Sequence, residues 1–399
     1  MHFRIPVRDH YISRRARKTH EEHTPLFHGS NYTLIQHKKN SMEPEKIIIG
    51  ITHGDINGIG YEVILKSMAD NRILDMFTPV IYGSSRLAGF YKKNLDIAAI
   101  NFNIINHAGE ASSKRVNIIN CVGDDVKMEL GQPTEEAGRA ALAALERATE
   151  DLKKGKIHAL VTAPINKKNI QSDSFHFPGH TEYLEEKFGE KSSSLMMLVS
   201  NSIRIAVVTG HIPVSRISET ISEELLMKKL NILNLSLKKD FSIVRPRIAV
   251  LGLNPHSGDN GVIGDEEQKI IIPALKKAEQ NGIMCFGPYP ADGFFGSGNF
   301  KNFDGVLAMY HDQGLIPFKT MAMDNGVNFT AGLPVIRTSP DHGTAYDLAG
   351  QNKASEISFL EALYLASDIY RNRIVYEEIT ANPLPVSETR HDSRKNNIE

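Results

Sequence analysis

The sequence predicts an α/β fold with a largely parallel sheet. From Lys46 onward, short β-branched apolar runs alternate with helical patterns, and no internal repeat is visible. Several of the runs also stop at glycine, proline or histidine, as strands do before a functional loop. Ile47–Thr52 is the first such run, followed by Gly54-Asp55 and by Gly58 and Gly60. Pro79–Tyr82 is the next and ends at Gly83. Pro133-Thr134 then opens a helix, with Thr134 as N-cap and Glu135 and Glu136 in the first turn. Its apolar residues Ala137, Ala140, Ala141, Ala144, Leu145, Ala148 and Leu152 form one 3.6-residue stripe, and Lys153, Lys154 and Gly155 close it. Ile157–Thr162, Leu195–Val199, Ile203–Val208, Arg247–Leu253 and Gly305–Met309 read as further strands.

The composition narrows the function. A chain of 399 residues with 41% hydrophobic and 23% charged residues can bury one large or two ordinary cores. Trp is absent and aromatics are 7%, which argues against stacking platforms for sugars or single strands. With Lys+Arg 46 against Asp+Glu 47, the bulk charge does not fit nucleic-acid or membrane-surface binding. Two cysteines exclude a disulfide scaffold, and no apolar run approaches a membrane span. A cytoplasmic protein is expected. The charge is uneven, however. Residues 1–41 carry eight Lys or Arg against three acidic residues, and six of the 16 histidines, so the body is the acidic part. No periodicity runs through residues 1–44, which are expected to be a disordered basic extension or sequence ahead of a start at Met42. Residues 383–399 are expected to be a frayed tail.

Three apolar runs lead into histidine: Ile-Ala-Val-Val-Thr-Gly-His211, Ala-Val-Leu-Gly-Leu-Asn-Pro-His256 and Val-Leu-Ala-Met-Tyr-His311. Ligands of open α/β sheets bind beyond the carboxyl ends of strands, so the three imidazoles are candidates for one divalent-metal site. Each taken singly also fits a strand-capping role. His180 and Thr181 offer donors at a helix start after Gly179, where an ordinary capping box is the plain alternative. Beyond His311-Asp312, Lys319, Asn328 and Arg337 supply cations and an amide suited to phosphate or carboxylate. Neither a Rossmann glycine fingerprint nor a P-loop is present, so any nucleotide must use another element. The Asp341–Gly350 run is the candidate.

Taken in order, Gly54–Glu62, Gly179–Glu182, Gly252–His256, Met309–Gly314, Gly332–Ser339 and Asp341–Gly350 resemble the 4-hydroxythreonine-4-phosphate dehydrogenase family of pyridoxal 5'-phosphate biosynthesis. The resemblance covers roughly Lys46 to Arg373. It departs at Ile56 and Tyr61, where the family usually has proline. It implies two α/β/α domains around a cleft, as in isocitrate and isopropylmalate dehydrogenases, and a homodimer with the active site at the subunit interface. The domains expected are 45–165 with 305–382, and 166–304. His211, His256 and His311 match divalent-metal ligands (Zn, Co, Mn or Mg), one of them crossing the dimer interface. His180, Thr181, Lys319, Asn328 and Arg337 match contacts to a small phosphorylated substrate. His342, Thr344 and Asp347 lie in the run expected to bind NAD or NADP. Asp312 and Lys319 are the catalytic candidates, Asp312 either as general base or as a brace for a histidine. The implied reaction is oxidation of 4-phosphohydroxy-L-threonine at C3, with loss of carbon dioxide. The alternative substrate is 4-phospho-D-threonate or 4-phospho-D-erythronate. A metal-dependent hydrolase would turn over without nicotinamide, and an inactive binding protein would have lost its ligands.

Overall fold

The computed structural model describes residues 46–97, 100–189 and 194–383. The expected basic extension 1–44 lies outside the described residues, as does the expected tail beyond Pro383. Twelve strands form one sheet: β1 (Ile48–Thr52), β2 (Thr78–Gly83), β3 (Phe102–Ile105), β4 (Val116–Asn120), β5 (Ala159–Thr162), β6 (Leu195–Val199), β7 (Arg204–Thr209), β8 (Ile248–Leu251), β9 (Cys285–Tyr289), β10 (Gly305–Tyr310), β11 (Val327–Ala331) and β12 (Arg337–Pro340). Their spatial order is β3-β4-β2-β1-β5-β12-β11-β6-β7-β10-β8-β9.

The sheet is largely parallel, as the alternation of runs and helices predicts, but it reverses in the middle. β12, β11, β6 and β7 pair antiparallel in succession. All other neighbours are parallel. The two parallel blocks therefore run in opposite directions. The sheet also continues without a break across the expected domain boundary. β10, assigned from sequence to the first domain, pairs with β7 and β8 of the second block.

Helices cover both faces, and β5 makes the layering plain. Ala159 and Val161 face the core that includes Phe359 and Ala362 of the final helix, Ile357–Thr380. Leu160 faces the opposite core with Leu145 and Ala148 of helix Glu135–Lys153. That helix begins and ends where its sequence predicts. The Thr134 hydroxyl accepts from Ala137 N at 3.3 Å, a cap worth about 1 kcal/mol. The buried Arg373–Asp240 pair, 2.6 Å apart, ties the final helix to the end of helix Glu223–Lys239.

The two departures from the family motif fall in the core. Ile56 is fully buried. The Tyr61 ring stacks between His53, at 5.3 Å, and Tyr91, at 5.5 Å. Its hydroxyl accepts from Ser84 N at 2.8 Å. Ser84 in turn caps helix Ser85–Asn94. Both substitutions are thus packing changes.

His53 is fully buried, with neither ring nitrogen in a well-formed hydrogen bond. Burial drives its pKa down to about 4. Above pH 6.5 the ring is neutral whether the chain is folded or not. Between pH 6.5 and 4 only the unfolded chain takes up the proton, so stability falls with pH through that window. Thermal midpoints of the wild type and His53→Gln, measured from pH 8 to 4, should show the wild type losing on the order of 3 kcal/mol more over that window than the variant.

Candidate active site

One cavity of about 330 Å³ gathers most of the residues singled out from the sequence. His180, Thr181, His211, His311, Lys319, Asn328, Arg337 and His342 all line it. It lies where the sheet reverses. Arg337 and Ser339 come from β12, Asn328 from β11, Met196 from β6 and Thr162 from β5, while His211 and His311 follow β7 and β10.

The floor of the cavity is built around a buried cation. Arg337 is 4% exposed. Its Nε and Nη2 donate to Thr162 Oγ1 at 3.2 and 2.7 Å. Nη2 also reaches His180 Nδ1 at 3.3 Å. A guanidinium only donates, so His180 accepts at Nδ1 and carries its proton on Nε2. That Nε2 is buried without a partner among the described residues. Burial first, and then the charges of Arg337 and Lys167, hold the His180 pKa well below its usual value. Arg337 is itself lowered by burial to about 10, so it stays charged near neutrality. No carboxylate among the described residues pairs directly with it. Glu182, in the same lining, acts on it only through its charge. A buried guanidinium with no bonded carboxylate, beside an unfilled N–H donor, is an arrangement for binding an anion. Asn328 Oδ1 is also buried without a partner, ready for a donor on the ligand.

Lys319 Nζ lies 3.5 Å from Asp341 Oδ1. Burial raises the Asp341 pKa, with Lys319 opposing that shift. This lysine–carboxyl pair faces the cavity and can hold or pass a proton.

His211 and His311 are brought together by strand register. Thr209 of β7 is paired with Tyr310 of β10, so the loops that follow meet. The imidazole centroids are 5.6 Å apart. Each ring has a carboxylate at Nδ1: Glu182 at 3.5 Å from His211, and Asp312 at 2.7 Å from His311. This leaves both Nε2 atoms free to ligate, in the carboxylate–histidine pattern common at metal sites. The two rings fit a shared divalent cation. The third imidazole does not join them. His256 is outside the cavity lining, and among the described residues of one chain no three-donor metal group forms. The resemblance implies that one of the three ligands crosses the dimer interface, and His256 is the one that stands apart from the other two within this chain. Beyond β8 the backbone turns left-handed at His256, which is exposed and outside the cavity lining.

Three further candidates stand apart from the lining: Asp312, Thr344 and Asp347. Asp312 is largely exposed and is bound to His311, the bracing geometry rather than that of a base within the cavity. Thr344 O accepts from Ile59 N at 3.0 Å, and Asp347 is exposed. Of the Asp341–Gly350 run, Asp341, His342 and Gly343 line the cavity, and His342 Nε2 is buried without a partner. A Cβ on Gly343 would meet nothing within 4 Å, so the orphan nitrogen of His342 borders open space.

Three functional residues had no role assigned from sequence. Lys167 lines the cavity, and its charge adds to burial in lowering the His180 pKa and to the His211 hydrogen bond in lowering that of Glu182. It lies five residues beyond β5, so the strand-end rule that found the histidines could have found it as well, had it been applied to this strand. Glu182 sits inside a recognised motif as the partner of His211. Asp55 organises the loops. Its Oδ1 accepts from Asn57 N at 2.9 Å, and its Oδ2 accepts from Asn169 Nδ2 at 2.8 Å and Tyr346 Oη at 2.7 Å.

The family model described as "Pyridoxal phosphate biosynthetic protein PdxA" matches residues 75–366. A 4-hydroxythreonine-4-phosphate dehydrogenase of Bacteroides thetaiotaomicron is 58% identical, over 89% of this chain and 98% of its own. An Oceanobacillus iheyensis protein described as "Putative D-threonate 4-phosphate dehydrogenase" is 38% identical, over 82% of this chain and 98% of its own. The crystal structure of a 4-hydroxythreonine-4-phosphate dehydrogenase from Klebsiella pneumoniae superposes with a TM-score of 0.70 at 34% identity, covering 82% of this chain and 98% of that one.

Replacing Asp55 by Ala removes at once the acceptor shared by Asn57 N, Asn169 Nδ2 and Tyr346 Oη, leaving Asn169 Nδ2 only Thr134 O at 3.0 Å. A loss of about 3 kcal/mol is expected. Denaturant unfolding of Asp55→Ala checks it; a change under 1 kcal/mol would show that the three loops hold together without this carboxylate.

Proposed function

Because the chain belongs to the pyridoxal phosphate biosynthetic protein PdxA family, we propose that it oxidises 4-phosphohydroxy-L-threonine at C3 with NAD or NADP as hydride acceptor. The single observation that carries the reading is the buried guanidinium of Arg337, bonded to no carboxylate among the described residues, beside the unfilled Nε2–H of His180. Such a floor binds an anionic end of a small substrate and orients the rest of it.

The division of labour follows from the geometry. Arg337, His180, Thr181 and Asn328 grip the ligand. Lys167 and Lys319 add positive charge around it. Fixing both ends of a small molecule presents one carbinol carbon in a fixed orientation, which lowers the entropic part of the barrier. A divalent cation held by His211, His311 and the His256 of a second copy would supply Lewis acidity toward the C3 hydroxyl, and the nicotinamide ring the acceptor for the C3 hydride. The hydroxyl proton passes to the Lys319–Asp341 pair, the proton-holding group that faces the cavity. Asp312 then serves as the brace of His311 and not as the base. Loss of hydride and proton leaves 2-amino-3-oxo-4-phosphooxybutanoate. Its 3-oxo acid releases carbon dioxide to give 3-amino-2-oxopropyl phosphate. The homodimer and the two-domain cleft belong to this same reading.

A second substrate class, 4-phospho-D-threonate or 4-phospho-D-erythronate, has the same anionic ends, with a hydroxyl in place of the amine. The relative named for D-threonate 4-phosphate keeps it in view. The two motif departures do not favour it, since Ile56 and Tyr61 are core residues outside the cavity.

The test is NAD reduction with 4-phosphohydroxy-L-threonine and with 4-phospho-D-threonate, each with and without chelator. Chelator-sensitive turnover favouring the first substrate is expected; preference for the second moves the chain to the other class, and turnover of neither removes both. Arg337→Ala should cut kcat/KM by at least about 30-fold, or 2 kcal/mol, through KM, since it removes a buried charged contact. An unchanged KM would take Arg337 out of the substrate site.

A further inference from the structure

Outside the cavity, one segment has backbone that its sequence does not explain. Four of the eight non-glycine residues at positive φ among the described residues fall in a single run after β8. His256, Ser257, Gly258, Asp259 and Asn260 have φ of 51°, 52°, 80°, 42° and 56°. Side-chain-bearing residues visit this region singly, and a run of them persists only when its surroundings determine it.

The loop that leads into the run is anchored by Glu267, with Glu266 Oε2 accepting from Asn254 Nδ2 at 2.7 Å and Pro288 O from Ser257 Oγ at 3.3 Å. Glu267 is 1% exposed and begins a π-helical turn, Glu267–Ile271, a distortion frequent at functional sites. Its Oε1 accepts from Leu253 N and Asn254 N, both at 2.7 Å, and its Oε2 from Asn254 Nδ2 at 2.9 Å. No cation among the described residues pairs with it. The loop closes tightly over this carboxylate. A Cβ on Gly258 would lie 2.7 Å from Oε2, one on Gly252 3.1 Å from Oε1, and one on Gly264 2.4 Å from Asn254 Nδ2. The result is that His256 stands in solvent, close in sequence to Val262, 81% exposed, and Ile263. Within one chain, a buried carboxylate and a left-handed run serve nothing that His256 touches. They make sense if the position of His256 matters to something it meets.

We propose that Glu267 is a positioning residue that holds His256 as a preformed ligand for the divalent-metal site. The proposal rests on the reading that His256 of a second copy completes the pair His211 and His311. Outer residues that orient a ligand commonly contribute about 10- to 100-fold to metal affinity.

The full-length protein, stripped of metal, is titrated with Co²⁺ and followed by visible absorption. Far-UV circular dichroism and gel-filtration mass are measured on every sample. His256→Ala and Glu267→Ala should each weaken Co²⁺ binding at least about 10-fold relative to wild type, with secondary structure and mass unchanged. Glu267→Asp, which withdraws the carboxylate by one methylene, should weaken it too, and it carries the test if the alanine variant does not fold. Wild-type affinity in both Glu267 variants, with binding lost in His256→Ala, overturns the role of Glu267 and leaves the metal reading standing. Wild-type affinity in His256→Ala removes His256 from the metal site, and the proposal with it.

Discussion

Three loops of this protein depend on one carboxylate. Asp55 is buried directly after β1 and receives hydrogen bonds from its own turn, from the loop after β5 and from the loop after β12. Asn57, two residues on, extends the knot. Its Nδ2 donates to Gln132 O and to the capping Thr134, and its Oδ1 accepts from Glu129 N. The loop that carries Lys167, the start of the long helix and the run from Asp341 to Gly350 are thereby fixed to one another. Buried polar groups tolerate few alternative arrangements, because each broken bond leaves a desolvated atom behind. The cavity inherits its shape from that intolerance.

Charge is handled locally. The folded body is the acidic part of the chain, so its overall field does not draw an anion in. Arg337 does so at short range, from a position where burial strengthens its field. Thr162 and His180 are neutral acceptors for its Nε and Nη2, and Glu182 offsets part of its charge from a distance. Burial keeps His180 neutral, which leaves Nε2 as a donor and removes a repulsive second cation. An anionic ligand is then the missing partner for both residues.

Much of the site was legible in the sequence because strand ends are legible. His211 and His311 follow strands whose pairing puts them side by side, and the same rule holds for Lys167 after β5. His256 obeys the rule in sequence and breaks it in space. β8 ends at Leu251, two residues short of the expected Leu253, and the left-handed run His256–Asn260 that comes after it closes over Glu267, a residue with no sequence signal of its own. β11 and β12 escaped for a related reason. Asn328, Arg337, Ser339 and Pro340 do not read as strand residues, and they pair because the two halves of the sheet close on them.

The sequence alone determined the α/β class, the long capped helix, the family and most of the residues that line the cavity, because these follow from periodicity and short motifs. Only the tertiary structure decided which of them meet. It reversed the sheet at β11 and β6, paired Arg337 with His180 across 157 residues, placed Ile56 and Tyr61 in the core, and left His256 outside the lining of its own cavity. Such outcomes depend on register and on the burial of polar groups contributed by distant segments, and neither is written in any local stretch of chain.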